Sequence, residues 1–247
     1  DGTLACDFSG RHPAINHTRY GAQRVKDAIC DALRESHGRR PDVALERPSV
    51  RVHAHANGPV VTASIDLSGE GLHRRGYRAQ AGEAPLRENV AAGILVRAGW
   101  PALAVEGVEL LDPMCGSGTI PIEGALIAAN IAPGLHRDYY GLHGWKGHDA
   151  ALWQRLHAAA TARVRPRESA SPIIRGSDAD GRAIRNAQAN AARAGVAEWI
   201  GFAHAPLGQA RPGAPHGLVC TNPPYGVRME DRETARAPPC EPGPAPP

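Results

Sequence analysis

The sequence predicts an α/β fold: a doubly wound parallel sheet, preceded by a smaller α+β unit. Two observations carry this. From about residue 106, short apolar runs alternate with helical patterns, as parallel strands joined by crossover helices require. Before about residue 68, a single amphipathic helix is followed by a hairpin, which a parallel sheet does not use.

In the first unit, Ala22, Val25, Ile29 and Leu33 lie at helical spacing. They predict a helix from Gly21 to about His37, with Gly38 suited to its end. Val50, Val52 and Ala54 alternate with Arg51, His53 and His55, and Val61, Ala63, Ile65 and Leu67 alternate on the return. Asn57-Gly58 between them is a strong hairpin signal. Residues 69–84 read as a Gly- and Arg-rich linker. Pro85 then opens a helix with Glu88 in its first turn and Leu86, Val90 and Ile94 on one face.

The second unit is expected over residues 85–229. Val108 to Leu111 reads as a strand, Asp112 to Thr119 as a Gly-rich turn, and Ile120 to Asn130 as an apolar helix with Pro121 in its first turn. A helix is expected from Ala150 to about Arg165. Ile173-Ile174 begins a strand ending at Ser177-Asp178. Asp180 caps a helix running to Ala194, with Gly195 beyond its end. Trp199 to Ala205 and Leu218 to Thr221 are the last strands. Residues 230–247, rich in proline, read as a disordered tail.

The composition of the 247 residues, 42% hydrophobic and 21% charged, is that of a soluble globular protein. No apolar run reaches membrane-spanning length, and with no basic-then-apolar stretch from Asp1 onward, no secretory signal is expected. The expected location is the cytoplasm. The first residue is Asp1, so the sequence reads as a fragment. Net charge is only +3. Positive charge is local and mostly arginine, at Arg39-Arg40, at Arg74, Arg75 and Arg78, and at Arg163, Arg165 and Arg167. Arginine's planar fork suits phosphate, so these are candidate nucleic-acid contacts, or else a solvated surface. The five cysteines form no C-x-x-C pair, which reads as reduced thiols without zinc. His53 and His55 share a strand face without a metal-ligand pattern. No metal is expected.

The chemistry-bearing motifs all fall at carboxyl ends of strands, where open α/β sheets bind ligands. In Asp112-Pro113-Met114-Cys115-Gly116-Ser117-Gly118-Thr119, the glycines allow a tight turn and a close backbone approach. The octapeptide lacks the Gly-Lys-Ser/Thr ending of a phosphate loop, and Pro121 breaks a G-x-G-x-x-G fingerprint. Its strand-end carboxylate fits a cationic ligand such as S-adenosylmethionine. Asp178 at the next strand end can accept from ribose hydroxyls. Asn222-Pro223-Pro224-Tyr225 carries one amide and one aromatic face on a rigid turn. The Asn222 oxygen and the Pro223 carbonyl can accept from an exocyclic amine, and Tyr225 can stack on its ring. Cys115 and Cys220 flank the site and read as packing residues rather than nucleophiles.

Leu-Asp-Pro-Met-Cys-Gly-Ser-Gly-Thr119, Ala132-Pro-Gly-Leu-His-Arg137, Gly-Ser-Asp-Ala-Asp180 and Asn-Pro-Pro-Tyr-Gly226 together resemble the class I methyltransferases. Leu-Ser-Gly-Glu-Gly-Leu-His-Arg-Arg-Gly-Tyr-Arg78 narrows this. It is similar to the junction between a THUMP RNA-binding domain and the catalytic domain of bacterial 23S rRNA guanine-N2-methyltransferases. The resemblance implies a Rossmann-like methyltransferase sheet, here incomplete, preceded at residues 1–68 by the back part of a THUMP domain. It implies S-adenosylmethionine as cofactor and 23S rRNA or a large-subunit precursor as partner. A flipped guanine would be held by Asn222, Pro223 and Tyr225. Pro206 stands where that family carries an acidic residue for the adenine amino group. Asn-Pro-Pro-Tyr also serves adenine-N6 and glutamine-N5 enzymes, and a catalytically inactive RNA-binding fragment is a further alternative.

Overall fold

A computed structural model describes residues 2–15, 17–78, 86–168 and 171–223. Tyr225, Pro85 and the proline-rich tail therefore lie outside the described residues.

The first unit is a four-stranded sheet with one helix. Strand β1 (Thr3–Arg11) leads into α1 (Thr18–His37). Strands β2 (Asp42–Val43), β3 (Val50–Asn57) and β4 (Val60–Ile65) follow, in sheet order β2-β1-β3-β4. Helix α1 ends as expected at Gly38, whose φ of 77° is left-handed. Gly21 in α1 has no side chain because the Phe8 ring occupies that space; an added Cβ would sit 2.6 Å from it. The helix thereby gives up some intrinsic propensity to bury Phe8 against Ala54 and Ala56.

The hairpin forms one residue later than the Asn-Gly signal suggests. Asn57 pairs with Val60, so Gly58-Pro59 is the loop, and Gly58 takes φ 60°. Every residue of β4 is exposed, so its alternation buries neither face. Strand β1, central to this sheet, was not expected, nor was β2.

In the second unit, α2 (Glu88–Arg97) and α3 (Trp100–Val105) precede β5 (Glu109–Asp112) and α4 (Thr119–Ala128). A 3-10 turn at Gly141–Gly144 and α5 (Ala150–Ala162) follow. Then come β6 (Ile174–Asp178), α6 (Gly181–Arg193), β7 (Ile200–His204) and β8 (Gly217–Val219). The sheet is wholly parallel in order β7-β6-β5-β8, so strand order reverses between β5 and β8. The caps behave as their chemistry dictates: Asp149 accepts from Leu152 N, Asp180 from Arg182 N, and Gly195 takes φ 70°.

Helix α4 is apolar on all sides and buried along its length. Trp100, fully buried, donates its indole N–H to the Gly124 carbonyl at 2.9 Å, and Leu110 fills the space where Gly124 has no side chain. The expected inner face of α2 needs correction. Val90 and Ile94 are each 43% exposed, while Glu88, Ala91 and Leu95 face inward. Both sets have helical spacing; packing against α4 selects the second, where small Ala91 lets the helices approach.

Glu123 is the exception inside α4. Only 2% exposed, it accepts from the Tyr77 hydroxyl at 3.1 Å and pairs with Arg75 at 3.4 Å. Burial raises the Glu123 carboxyl's pKa, against the pull of Arg75 and Tyr77. Replacing it by alanine leaves a hydroxyl and a guanidinium buried without their partner. Glu123→Ala should therefore cost about 3–5 kcal/mol in urea unfolding. A loss below about 1 kcal/mol would mean the network adds nothing to stability.

The two units meet along residues 137–144. Tyr139 donates to the Pro48 carbonyl at 2.8 Å, Leu142 N donates to the Leu67 carbonyl at 2.9 Å, and Arg47 pairs with Asp138 at 2.9 Å. Arg137 donates to the Ser68 and Glu70 carbonyls.

Candidate active site

The site is built at the reversal between β5 and β8, where an open parallel sheet leaves a crevice. Cys220 N donates to the Leu111 carbonyl at 3.0 Å, carrying the pairing to the strand ends. Asp112 and Asn222 thus leave adjacent strands at the same end of the sheet. Glu109 secures this arrangement from the other end of β5. Fully buried, it accepts from Gly213 N and Ala214 N at 2.7 and 2.8 Å, which ties down the segment leading into β8. Sequence reasoning missed this residue; its signal was a carboxylate opening an apolar strand.

The Gly-rich turn is held by Asp178. Its two carboxylate oxygens accept from Gly116 N and Asp180 N, each at 2.9 Å. Each oxygen retains a further lone pair, so a ribose hydroxyl can still be accepted. Cys115 N donates to the Ser177 carbonyl, and the Asn190 side chain donates to the Ser117 carbonyl at 2.9 Å. Pro113 and Met114 make the bend, in which Met114 N donates back to Asp112 at 3.2 Å.

The two glycines have separate reasons. Gly118, at φ 84°, starts α4; an added Cβ would lie 2.9 Å from the Ala187 Cβ. Gly116, at φ 53°, has nothing of the protein within 4 Å of that position. Gly118 therefore serves packing, and Gly116 leaves backbone open to an approaching ligand. Gly118→Ala should lose about 2–4 kcal/mol of stability from strain and overlap. Gly116→Ala should lose only about 1 kcal/mol, yet weaken ligand binding far more. Thermal melts with and without ligand separate the two; equal behaviour would refute the distinction.

Asp112 is only 1% exposed. Burial lifts its pKa to about 6, with the Asp178 charge adding, while the nearby Thr221 hydroxyl and the Met114 amide pull it down. Thr221 does not reach hydrogen-bonding geometry. Its hydroxyl, like that of Ser177, is buried with no partner among the described residues. Two orphaned hydroxyls and a desolvated carboxylate mark a place built for a polar, positively charged ligand. Thr221, next to Asn222, and Ser177, next to Asp178, were signalled only by that adjacency. Burial raises the Cys115 thiol, helped by Asp112 and Asp178, and raises Cys220, helped by Asp112. Both stay protonated at neutral pH, unsuited to nucleophilic attack.

The arginines expected to face RNA divide. Arg74 is exposed, with Glu70 at 3.9 Å. Arg75 turns inward to Glu123. Arg78 donates to Thr119 Oγ1 at 2.8 Å and to the Leu86 carbonyl, with Glu88 at 3.7 Å. Thr119 is thus fixed from the linker, and Arg75 and Arg78 are structural here rather than surface contacts. The reason is nonlocal: the buried carboxylates of Glu88 and Glu123 draw them in. Asn222 is half-buried and Pro223 exposed. Pro206 is exposed and opens a 3-10 turn after β7. Among the described residues no cluster of three or more His, Cys, Asp or Glu could hold a metal, and no helix is long and apolar enough to cross a membrane.

A family model described as RMKL-like, methyltransferase domain matches residues 75–237, and a THUMP domain model matches residues 1–66. Ribosomal RNA large subunit methyltransferase K/L of Methylococcus capsulatus is 51% identical over 94% of this chain, which covers 31% of that relative. Among solved structures, SMU.472 complexed with SAH superposes with a TM-score of 0.78 at 27% identity, over 95% of this chain and 61% of that one. A Listeria monocytogenes chain described as a predicted N6-adenine-specific DNA methylase gives 0.78 at 32% identity, over 95% and 60%. The chain spans about a third of the length of the curated relatives it matches.

Proposed function

The chain belongs to the RMKL-like methyltransferase family, and on that premise we propose that it transfers methyl groups from S-adenosylmethionine to the exocyclic N2 of a guanine in 23S rRNA, in the cytoplasm. The observation that carries this is the pairing of Asp112 with Asn222 at adjacent strand ends. The first is a desolvated carboxylate for a cation, and the second an amide acceptor for an amine. Support comes from the relatives named for large-subunit rRNA methylation, from the THUMP match and from the SAH-bound neighbour.

The orphaned Thr221 and Ser177 hydroxyls and the open face of Gly116 suit the cofactor. Asp112 would balance its positive charge. Asp178 would take its ribose, and the start of α4 beside Ser117 and Thr119, which no side chain caps, would face its carboxylate. When bound, S-adenosylmethionine supplies an electrophilic methyl group. The protein's part is orientation. The Asn222 oxygen and the Pro223 carbonyl accept the amine's N–H groups, aim its lone pair and exclude water from it. Tyr225 would stack on the base, taken out of its helix. Arg74 would contact the RNA backbone, while Arg75 and Arg78 hold the linker.

Calorimetry with S-adenosylmethionine is the first test; binding in the micromolar range is expected. No heat at millimolar cofactor would favour a catalytically silent RNA-binding chain, a reading to which the exposed Pro206 points. The second test is methyl transfer to unmodified rRNA followed by nucleoside analysis. Methylated adenine, in line with the Listeria chain's description, would overturn the choice of guanine.

A further inference from the structure

The motif Ala132-Pro-Gly-Leu-His-Arg137 is unused by the reaction, and it borders two cavities that share Gly76 and His136 as lining. The first, about 110 Å³, has a wall of Leu126, Ile131, Ala132 and Pro133, with Arg75 and Arg193 at its polar side. The second, about 160 Å³, is lined by Arg47, Arg74 and Arg137 together with Glu70 and Asp138.

In the second cavity three arginines face two carboxylates: Arg47 pairs with Asp138, and Arg74 lies 3.9 Å from Glu70. Arg193 donates to the Tyr77 carbonyl at 2.7 Å and to Asn190 Oδ1. Arg137 donates to the carbonyls of Ser68, Glu70 and Gly71, and lies 4.8 Å from the Tyr140 ring centroid. Among the described residues neither guanidinium forms a salt bridge, although the Arg137 charge, after that of Arg47, helps hold the Asp138 carboxyl below its usual range. Arg75 has its carboxylate, yet its Nε is buried without a partner. A buried guanidinium N–H left open beside an apolar slot suits an anion with a flat apolar part, and the exposed Arg193 and half-buried Arg137 stand at its edge to meet the charge.

We propose that these cavities bind one nucleotide of single-stranded RNA outside the modified base, with its heterocycle on the Ile131-Pro133 wall and its phosphodiester among Arg137, Arg193 and His136. The first cavity is far smaller than a typical small-molecule site but has room for one planar ring. Stacking beside an arginine-lined path is how single strands are held without base pairing. The inference rests on the RNA-substrate reading and places a second anchor on that RNA.

The test measures binding of a short labelled oligoribonucleotide to the full chain by fluorescence anisotropy over a range of salt. Arg193→Gln and His136→Glu should each weaken binding about tenfold or more at low salt and lower the salt slope by about one. Ala132→Phe, which fills the apolar cavity, should weaken binding at an unchanged slope. Thermal melts identify any variant that fails to fold, and the exposed His136 supplies one that should not. Guanosine monophosphate should compete only weakly. Competition as strong as that of the oligonucleotide would make this a free-nucleotide site and overturn the inference. So would wild-type affinity in all three variants, or no RNA binding by the unmodified chain. Calorimetry with S-adenosylmethionine on the same preparations reports separately: cofactor binding with unaffected RNA affinity sinks the anchor alone, and lost RNA affinity without cofactor binding sinks the methyltransferase reading alone.

Discussion

Asn222→Ala should lower the rate of methyl transfer by about 100- to 1000-fold while leaving cofactor affinity within about twofold. An aromatic amine is a weak nucleophile because its lone pair is drawn into the ring. The rate therefore depends on how well the nitrogen is aimed. Asn222 lies three residues beyond β8, whose pairing to β5 continues as far as the Cys220–Leu111 hydrogen bond, so the sheet delivers it to the strand ends. Deleting its amide removes an acceptor without disturbing Asp112 or Asp178. Asn222→Asp keeps an acceptor oxygen and should retain more rate than Asn222→Ala. Single-turnover transfer from labelled cofactor to rRNA measures the rate, and calorimetry the affinity. A rate within tenfold of the unmodified chain would remove Asn222 from the reaction.

The second large effect is one of pH. Asp112 titrates near 6, raised by burial from an ordinary value of 3.8. A carboxyl raised in the folded state stabilises the fold below its unfolded pKa, and that stabilisation is lost as pH rises through the folded value. The ligand-free chain should thus lose up to about 3 kcal/mol from this one group between pH 4 and pH 8. A cationic ligand reverses the balance, because it favours the ionised carboxylate. Affinity for S-adenosylmethionine should rise up to tenfold per pH unit between pH 5 and 6 and level off by pH 7. Asp112→Asn should abolish that rise and weaken binding about 10- to 100-fold at pH 7, while raising the melting temperature of the ligand-free chain. Affinity that stays flat from pH 5 to 7 in the unmodified chain would show that Asp112 does not face the ligand's charge.

Much of this architecture is legible because its signals are local. Asp180 and Gly195 bracket α6 through hydrogen bonds and a left-handed φ that depend on neighbours in sequence. The Gly-rich turn is legible for the same reason. The unexpected features depend on partners far along the chain. Strand β1 carries Asp7 and Ser9 in its middle, and reads as a strand only once it lies between β2 and β3. Helix α2 offers two apolar stripes, and only the position of α4 selects Ala91 and Leu95 over Val90 and Ile94. The inward arginines were masked by their charge. Glu123, alone in an otherwise apolar helix, was the sign that a cation must come to meet it.

On the proposed reading, the junction at residues 137–144 would bear on which nucleotide is reached. Gly141 lies against the backbone of Asp66 and Gly144 against that of Ser49, so neither position has room for a methyl group. With Leu142 N bonded to the Leu67 carbonyl and the Tyr139 hydroxyl to that of Pro48, the spacing between the two units is set by close main-chain approach, reinforced by side chains. On the proposed rRNA reading the molecule would then work as a gauge: RNA gripped by the first unit would present its target at a fixed offset from Asn222, and the modified position would be counted out by distance along the strand as well as recognised by the base itself.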